Sequence, residues 1–205
     1  MHIIRYIIRN FLSILLETVK VTVMLFIALV IALTLRAYVF EWTKVSGSSM
    51  EDTLYDRQVL LSYRLGYEFS EPKRGDIIIF IYKKGEYKLF KFINKSEFFK
   101  KIVPNSSDVN YIKRVVGVPG DTVFIDYDGY LYINGKKMEE SYAKGRTYGY
   151  SIQYPLTVPK GKVFVLGDNR EFSKDSREIG LVDSKQIKGR AVFRLAPLSE
   201  LGTIH

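Results

Sequence analysis

Cysteine is absent from this sequence of 205 residues, and its two histidines, His2 and His205, lie at the two ends. Without cysteine the chain forms no disulfide, no thiolate metal site and no cysteine nucleophile. A serine-histidine-aspartate triad needs an imidazole held on a rigid scaffold, which a frayed terminus does not provide, and zinc sites need histidine or cysteine. We therefore expect no metal and no cofactor, and lysine is the obvious remaining base for an activated nucleophile.

The chain has 31 basic and 22 acidic side chains, which give it a net charge of +9. This excess is spread through the sequence, and no basic helix or stacking-aromatic motif accompanies it, so we expect no nucleic-acid partner. Attraction to an anionic membrane surface explains the sign of the charge more simply.

The first 42 residues are predicted to form a membrane anchor. Polar side chains recur every fourth position from Arg5 to Glu17, so residues 1–20 are interpreted as an amphipathic leader helix at the membrane interface. Residues 21–42 are almost entirely apolar and about as long as the ~20 residues that a bilayer span needs. A removable signal peptide, which the long charged leader disfavours, and a buried core helix are the rival interpretations.

Beyond residue 42 the pattern changes to short runs rich in β-branched and aromatic residues, which predict strands. Asp128-Gly129 and Asn134-Gly135 are tight-turn signals that predict two consecutive hairpins. Residues 94–109 and 141–155 are predicted to be polar loops. We expect a mostly β protein, in which one antiparallel β-rich domain over residues 43–205 follows the helix. The predicted strands are residues 40–45, 58–63, 76–82, 87–93, 111–116, 122–126, 130–133, 162–166 and 190–195.

Two side chains have the properties of a nucleophile and its base. Ser49 follows Gly47 between a strand and a new segment, where the backbone can bend tightly and expose a hydroxyl. Lys113 lies in a predicted strand on the same face as Val115. If that face is buried, the pKa of the amine falls, and a neutral amine can accept a serine proton. An ordinary serine turn and a solvated edge-strand lysine are the alternatives.

A third segment, residues 167–177, concentrates acidic, basic and hydroxyl side chains in a loop. These groups form either a buried network that fixes the backbone or a set of surface ion pairs that stabilise little.

Together and in this order, these segments resemble the type I signal peptidases. The resemblance covers the anchor, the Ser-Met pair at Ser49, Arg74-Gly75-Asp76, and the blocks 111–121 and 167–177, which is most of the chain. Bacterial members of that family are membrane-anchored serine proteases that cut signal peptides from secreted proteins. The resemblance implies a signal-peptidase-like β fold behind a single-pass anchor in the cytoplasmic membrane, with the catalytic domain on the extracytoplasmic side.

The resemblance also implies a role for individual residues. Ser49 is the nucleophile, Lys113 is the general base, and Ser173 occupies the position that hydrogen-bonds and orients the lysine amine. The implied partners are exported preproteins and the lipid bilayer, with the secretion translocase as a further candidate. The charged residues that support the site correspond to Arg114, Asp168, Asp175 and Arg177.

The sequence departs from the family pattern at two positions. Asp52 stands where the family usually has proline, and since aspartate lacks the fixed φ of proline, we expect a looser turn after the nucleophile. Gly47 stands where some members have a serine that helps bind the oxyanion, so only backbone N–H donors such as that of Ser49 are expected there.

Other functions use the same residue types. Ser70-Glu71-Pro72-Lys73 and Ser141-Tyr142-Ala143-Lys144 match the Ser-x-x-Lys of penicillin-binding proteins, but neither is predicted to open a helix. Self-cleaving repressors share the Ser/Lys pair, yet they carry a DNA-binding domain in place of a membrane span. A non-cleaving or pilin-dedicated assembly factor is the alternative function, motivated by Asp52.

Overall fold

The computed structural model describes residues 2–84, 107–149 and 152–204. The chain begins with helix α1, His2–Tyr38. Its section Asn10–Leu35, with a mean hydropathy of 2.4, is long and apolar enough to cross a membrane. The hydroxyls of Thr22 and Thr34 donate to the carbonyl oxygens four residues before them, so these polar groups are satisfied within the helix.

The two N-terminal segments predicted from the sequence form one continuous helix. The predicted anchor runs to Trp42, whereas the helix ends at Tyr38 and Trp42 lies in the first strand. That strand pairs with residues 59–63, and each of its backbone groups on that edge gains a ladder partner that a longer helix would forgo. Sheet pairing therefore ends the helix before the apolar pattern does.

The rest of the described chain forms two antiparallel sheets. The strands are β1 Phe40–Lys44, β2 Val59–Tyr63, β3 Ile77–Lys83, β4 Val109–Gly117, β5 Thr122–Ile125, β6 Leu131–Ile133, β7 Lys136–Lys137, β8 Leu156–Thr157, β9 Lys162–Leu166, β10 Val182–Asp183, β11 Ile187–Ala196 and β12 Gly202–Thr203. The first sheet has the strand order β1-β2-β11-β3-β4-β9-β10, with β12 beside β11, and the second has the order β7-β6-β5-β8. Two short helices are α2, Gly66–Phe69, and α3, Ser176–Ile179. The predicted mostly β, antiparallel fold behind an apolar helix is thus confirmed.

The two predicted hairpins are also confirmed. Strand β5 pairs with β6 and β6 with β7, and the turn residues Gly129, Asn134 and Gly135 adopt positive φ angles. The predicted strand 87–93 and most of the predicted loop 94–109 lie outside the described residues.

Within the described residues, three buried apolar clusters pack against the sheets. One of them joins the second sheet to strand β9, because Val123 and Ile133 pack in the same cluster as Phe164 and Leu166. Complete burial of side chains of this size contributes about 1.5–3 kcal/mol each. The end of strand β9 is therefore held by core packing, and residues 167–177 start from a fixed position.

Candidate active site

Ser49 lies on a tight turn whose flanking apolar residues are buried. Met50 and Leu54 belong to the core, and the N–H of Leu54 donates to the carbonyl of Met50 at 2.7 Å. Gly47 has a φ of +91°, which only glycine adopts readily, and its N–H donates to Asp56 at 3.0 Å. The half-buried Ser49 is thereby held on a backbone anchored from both sides.

Lys113 reaches Ser49 from strand β4, where it pairs with Ile78 of β3. Its side chain is only 4% exposed, and its Nζ donates to Ser49 Oγ at 2.7 Å and to the carbonyl of Ile112 at 3.0 Å. Burial lowers the pKa of Lys113 from its ordinary 10.5 to about 8, although the charges of Asp175 and Asp168 oppose this shift. In a substantial fraction of the molecules, the Lys113 amine is therefore neutral at mildly alkaline pH and able to accept a proton.

The segment 167–177 holds the backbone of the nucleophile. The N–H of Asn169 donates to the carbonyl of Ser49 at 3.1 Å, and its side-chain amide donates to the carbonyl of Ser48, also at 3.1 Å. A Cβ on Gly167 would lie 2.5 Å from the Ser49 carbonyl oxygen and 2.1 Å from Ser173 Oγ. Only glycine fits between these two serines.

Arg114 and Asp168 form a buried ion pair behind the site. The guanidinium donates twice to the carboxylate, at 2.9 and 2.7 Å, and the carboxylate also accepts from the hydroxyl of Thr53 at 2.6 Å. The side chain of Arg114 is 3% exposed and that of Asp168 is fully buried. Such a pair adds little net stability but fixes one arrangement, here of the turn after Ser49 against residues 167–170.

Asp175 and Arg177 fix the shape of the segment 167–177 itself. Arg177 donates twice to Asp175 at 2.8 Å, and Asp175 also accepts from the N–H of Gly167 at 3.0 Å. Arg177 further donates to the carbonyl of Arg170 at 2.6 Å. Both side chains are fully buried, so the predicted charged cluster is a buried network and not a set of surface ion pairs.

Ser173 lies close to the site, but it does not form the hydrogen bond to the Lys113 amine that was expected from the sequence. Its hydroxyl is buried and has no hydrogen-bond partner in the described part of the chain, while the amine of Lys113 donates to Ser49 and to the carbonyl of Ile112. The expected hydrogen bond is thus absent, and the orienting role of Ser173 stays a prediction.

Two contacts of the site had no signal in the sequence. Arg170, fully buried, donates twice to Glu140, at 2.8 and 2.7 Å, and also to the hydroxyl of Thr147. Lys144 forms an ion pair with Asp52, at 3.0 Å. Glu140 and Lys144 lie in the loop before β8, far in sequence from their partners, where no local pattern could indicate the pairing.

The two Ser-x-x-Lys matches in the sequence do not form a site of the penicillin-binding type. Ser70 follows α2 and Ser141 lies in a loop, so neither Ser-x-x-Lys match opens a helix, as predicted. Among the described residues, no group of three or more His, Asp or Glu side chains is placed to hold a metal ion.

In a β-rich domain behind an apolar helix, a serine hydroxyl is hydrogen-bonded to the amine of a buried lysine with a lowered pKa. Serine hydrolases that use lysine as their general base need a hydroxyl and an amine in such an arrangement, and this is the class of protein with which the geometry agrees.

Comparison with known proteins narrows this class to a family. The family described as signal peptidase, peptidase S26, matches residues 16–196. Signal peptidase I of Bacillus licheniformis is 39% identical over 184 residues, covering 85% of this chain and 87% of that protein. Signal peptidase IB of Staphylococcus aureus is 33% identical, covering 85% and 87%. A solved signal peptidase I of Enterococcus faecalis is 31% identical and aligns with a TM-score of 0.40 over 59% of this chain and 97% of that chain. The chain belongs to the signal peptidase family, peptidase S26, and the predicted membership and enzyme class are confirmed.

Proposed function

We propose that this protein is a membrane-anchored endopeptidase that removes signal peptides from exported preproteins with Ser49 and Lys113 as its catalytic dyad. Family membership supports the peptidase activity and the signal-peptide substrate. The observation that carries the dyad is the 2.7 Å contact between Ser49 Oγ and the Nζ of a lysine that is 4% exposed.

The geometry supports a two-step acyl transfer. Ser49 Oγ attacks the scissile carbonyl while neutral Lys113 takes its proton, and the resulting ammonium returns that proton to the leaving amine. Lys113 then takes a proton from the water that attacks the ester on Ser49, and it returns this proton to Ser49 Oγ as the acid product leaves. Because Gly47 brings no hydroxyl, backbone N–H groups such as that of Ser49 stabilise the oxyanion.

An unpaired strand edge beside the dyad offers a place for the substrate. Strand β4 pairs with β9 from Arg114 onward, so residues 110–112 have no partner strand on that edge among the described residues. An extended peptide that pairs with this edge gains main-chain hydrogen bonds, and its scissile bond approaches the dyad at Lys113.

Separate replacement of the two dyad residues tests this function. We expect purified Ser49→Ala and Lys113→Ala to bind a preprotein but to cleave it at least about 100-fold more slowly than the parent, the order of loss seen for catalytic groups. Cleavage by either variant at the parent rate would refute the dyad. A parent protein that binds the preprotein without cutting it would favour the non-cleaving alternative.

We also propose that α1 crosses the membrane once and leaves the β domain on the extracytoplasmic side. The chain contains no cysteine, so a single Lys160→Cys variant gives one exposed thiol in the domain. We expect a membrane-impermeant maleimide to label this thiol in intact cells. Labelling only after the membrane is permeabilised would show that the β domain lies on the cytoplasmic side.

A further inference from the structure

Lys144 contacts the turn that follows the nucleophile, although 92 residues separate it from Asp52 in the sequence. Its Nζ lies 3.0 Å from Asp52 Oδ1 and 3.9 Å from Glu51 Oε2. Both carboxylates belong to the turn 50–53, which the sequence predicts to be loose because Asp52 replaces a proline. The lysine therefore contacts the one part of the site where a constraint was expected to be missing.

The backbone of Lys144 is fixed to the segment that holds Ser49. Its N–H donates to the carbonyl of Asp168 at 2.7 Å, its carbonyl accepts from the N–H of Arg170 at 2.9 Å, and it forms a parallel bridge with Asn169. Asn169 in turn holds the carbonyl of Ser49. Since the backbone is already ordered, the ion pair with Asp52 requires only the ordering of the side chain.

The negative charges of the turn favour its contact with Lys144. Glu51 and Asp52 are adjacent in the sequence, and the ammonium of Lys144 lies within 3.9 Å of a carboxylate oxygen of each. The hydrogen bond and the charge of Asp52 raise the pKa of Lys144, as expected for an ammonium that is stabilised by a carboxylate. The side chains of Lys144 and Asp52 are 48% and 62% exposed, so the pair is screened and its effect is moderate.

We propose that Lys144 is a positioning residue, which holds the turn 50–53 and thereby the hydroxyl of Ser49 in the geometry that faces Lys113. The proposal rests on the proposed peptidase function. Because Lys144 contacts the turn and not the reacting atoms or the free edge of β4, its loss affects the chemical step more than substrate binding.

A double-mutant cycle on the purified full-length protein tests the proposal. Lys144→Met and Asp52→Asn are each expected to lower kcat for a preprotein about two- to five-fold, with little change in KM, as suits an exposed ion pair. The double variant should cleave no more slowly than Lys144→Met, since the two residues act through one contact. Lys144→Arg should restore at least half of the parent kcat.

Salt and a matched control separate this role from a general effect of charge. Raising NaCl from about 0.05 to about 0.5 M should bring the parent kcat close to that of Lys144→Met and leave the variant almost unchanged. Lys160→Met is the control, because Lys160 is also an exposed lysine of the β domain and lies outside both the turn 50–53 and the segment 167–177. It should retain the parent kcat.

The outcomes that overturn the proposal are distinct from failure of the proposed function. Parent-like kcat in Lys144→Met, additive losses in the double variant, or an equal loss in Lys160→Met would each overturn it. A parent protein without cleavage would refute the function instead. In that case the positioning role of Lys144 is tested by hydrogen exchange of the turn. The amides of Thr53 and Leu54 report on it, because both donate to the Met50 carbonyl, at 2.9 and 2.7 Å. Faster exchange in Lys144→Met supports the positioning role, and unchanged exchange contradicts it.

Discussion

The Nζ of Lys113 lies 2.7 Å from the Oγ of Ser49, although 64 residues separate the two in the sequence. The contact combines a buried strand residue with a turn residue. The strand desolvates the amine, and the turn presents the hydroxyl to it. An activated serine needs both of these features, a hydroxyl and a base within hydrogen-bond reach.

The lowered pKa of Lys113 predicts how cleavage depends on pH. The base is active when neutral, so kcat/KM should rise with pH and level off above about 8, the pKa to which burial lowers the amine. Initial rates of preprotein cleavage between about pH 6 and pH 10 measure this profile. A rate that falls between pH 6 and pH 8 would contradict a lysine base.

The same burial predicts that Lys113 destabilises the fold. The folded-state pKa is about 8 and the ordinary value 10.5, so below pH 8 folding keeps a charged amine out of water, and stability rises as the pH goes from 8 to 10.5. Lys113→Met should therefore raise the free energy of unfolding by about 1–3 kcal/mol at pH 7. Urea unfolding should show a smaller gain at pH 10. An equal gain at both pH values would argue against the lowered pKa.

Asp168→Asn tests the buried ion pair with Arg114. The substitution leaves a guanidinium buried without its countercharge, so we expect a loss of about 3–5 kcal/mol in the free energy of unfolding. Glu178→Gln breaks the exposed pair with Lys174 and should change stability by less than about 1 kcal/mol. Chemical denaturation of both variants gives the comparison. Similar losses in the two would mean that burial of the first pair has no energetic effect.

Gly167→Ala should strongly lower activity because Gly167 lies between two serines. The added methyl group would lie 2.5 Å from the Ser49 carbonyl oxygen, so the turn or the segment 167–177 must shift. We expect cleavage to fall by about 100-fold or more, as a displacement of about 1 Å in a catalytic geometry does. Gly202→Ala is the control, since nothing lies within 4 Å of its Cβ position. Parent-like cleavage by Gly167→Ala would contradict the close packing.

Ser173→Ala removes a buried hydroxyl that lacks a hydrogen-bond partner among the residues described. Because such a group is unfavourable, the free energy of unfolding should rise by about 1 kcal/mol. Thermal or urea unfolding measures the change, and a loss of stability would indicate a partner for the hydroxyl. A kcat lowered more than tenfold in the same variant would support the predicted orienting role.

Much of the fold was predictable because its signals are local. Strand β9, Lys162–Leu166, and the hairpin turns at Gly129 and Gly135 follow from alternation and turn residues in short stretches. The end of α1 was not, since the apolar pattern continues to Trp42 while pairing with β2 sets the boundary. Local hydropathy carries no information about that competition.

The site divides in the same way. Ser49, Lys113 and the segment 167–177 were predicted from motifs and from the missing histidines. The pairs Arg170–Glu140 and Lys144–Asp52 were not, because each joins segments that are distant in the chain. The unbonded hydroxyl of Ser173 was also not foreseen, since hydrogen-bond geometry depends on atomic positions that a motif does not specify.

The place of β11 between β2 and β3 affects the order in which parts of the chain can fold during synthesis. Residues 187–196 leave the ribosome long after Ser49 and Lys113, yet β2 and β3 pair with this strand and not with each other. We therefore expect the turn that carries Ser49 and the strand that carries Lys113 to come together late in synthesis, once residues 187–196 join β2 to β3. On the proposed mechanism, a nascent chain that ends before residue 187 is expected to lack peptidase activity.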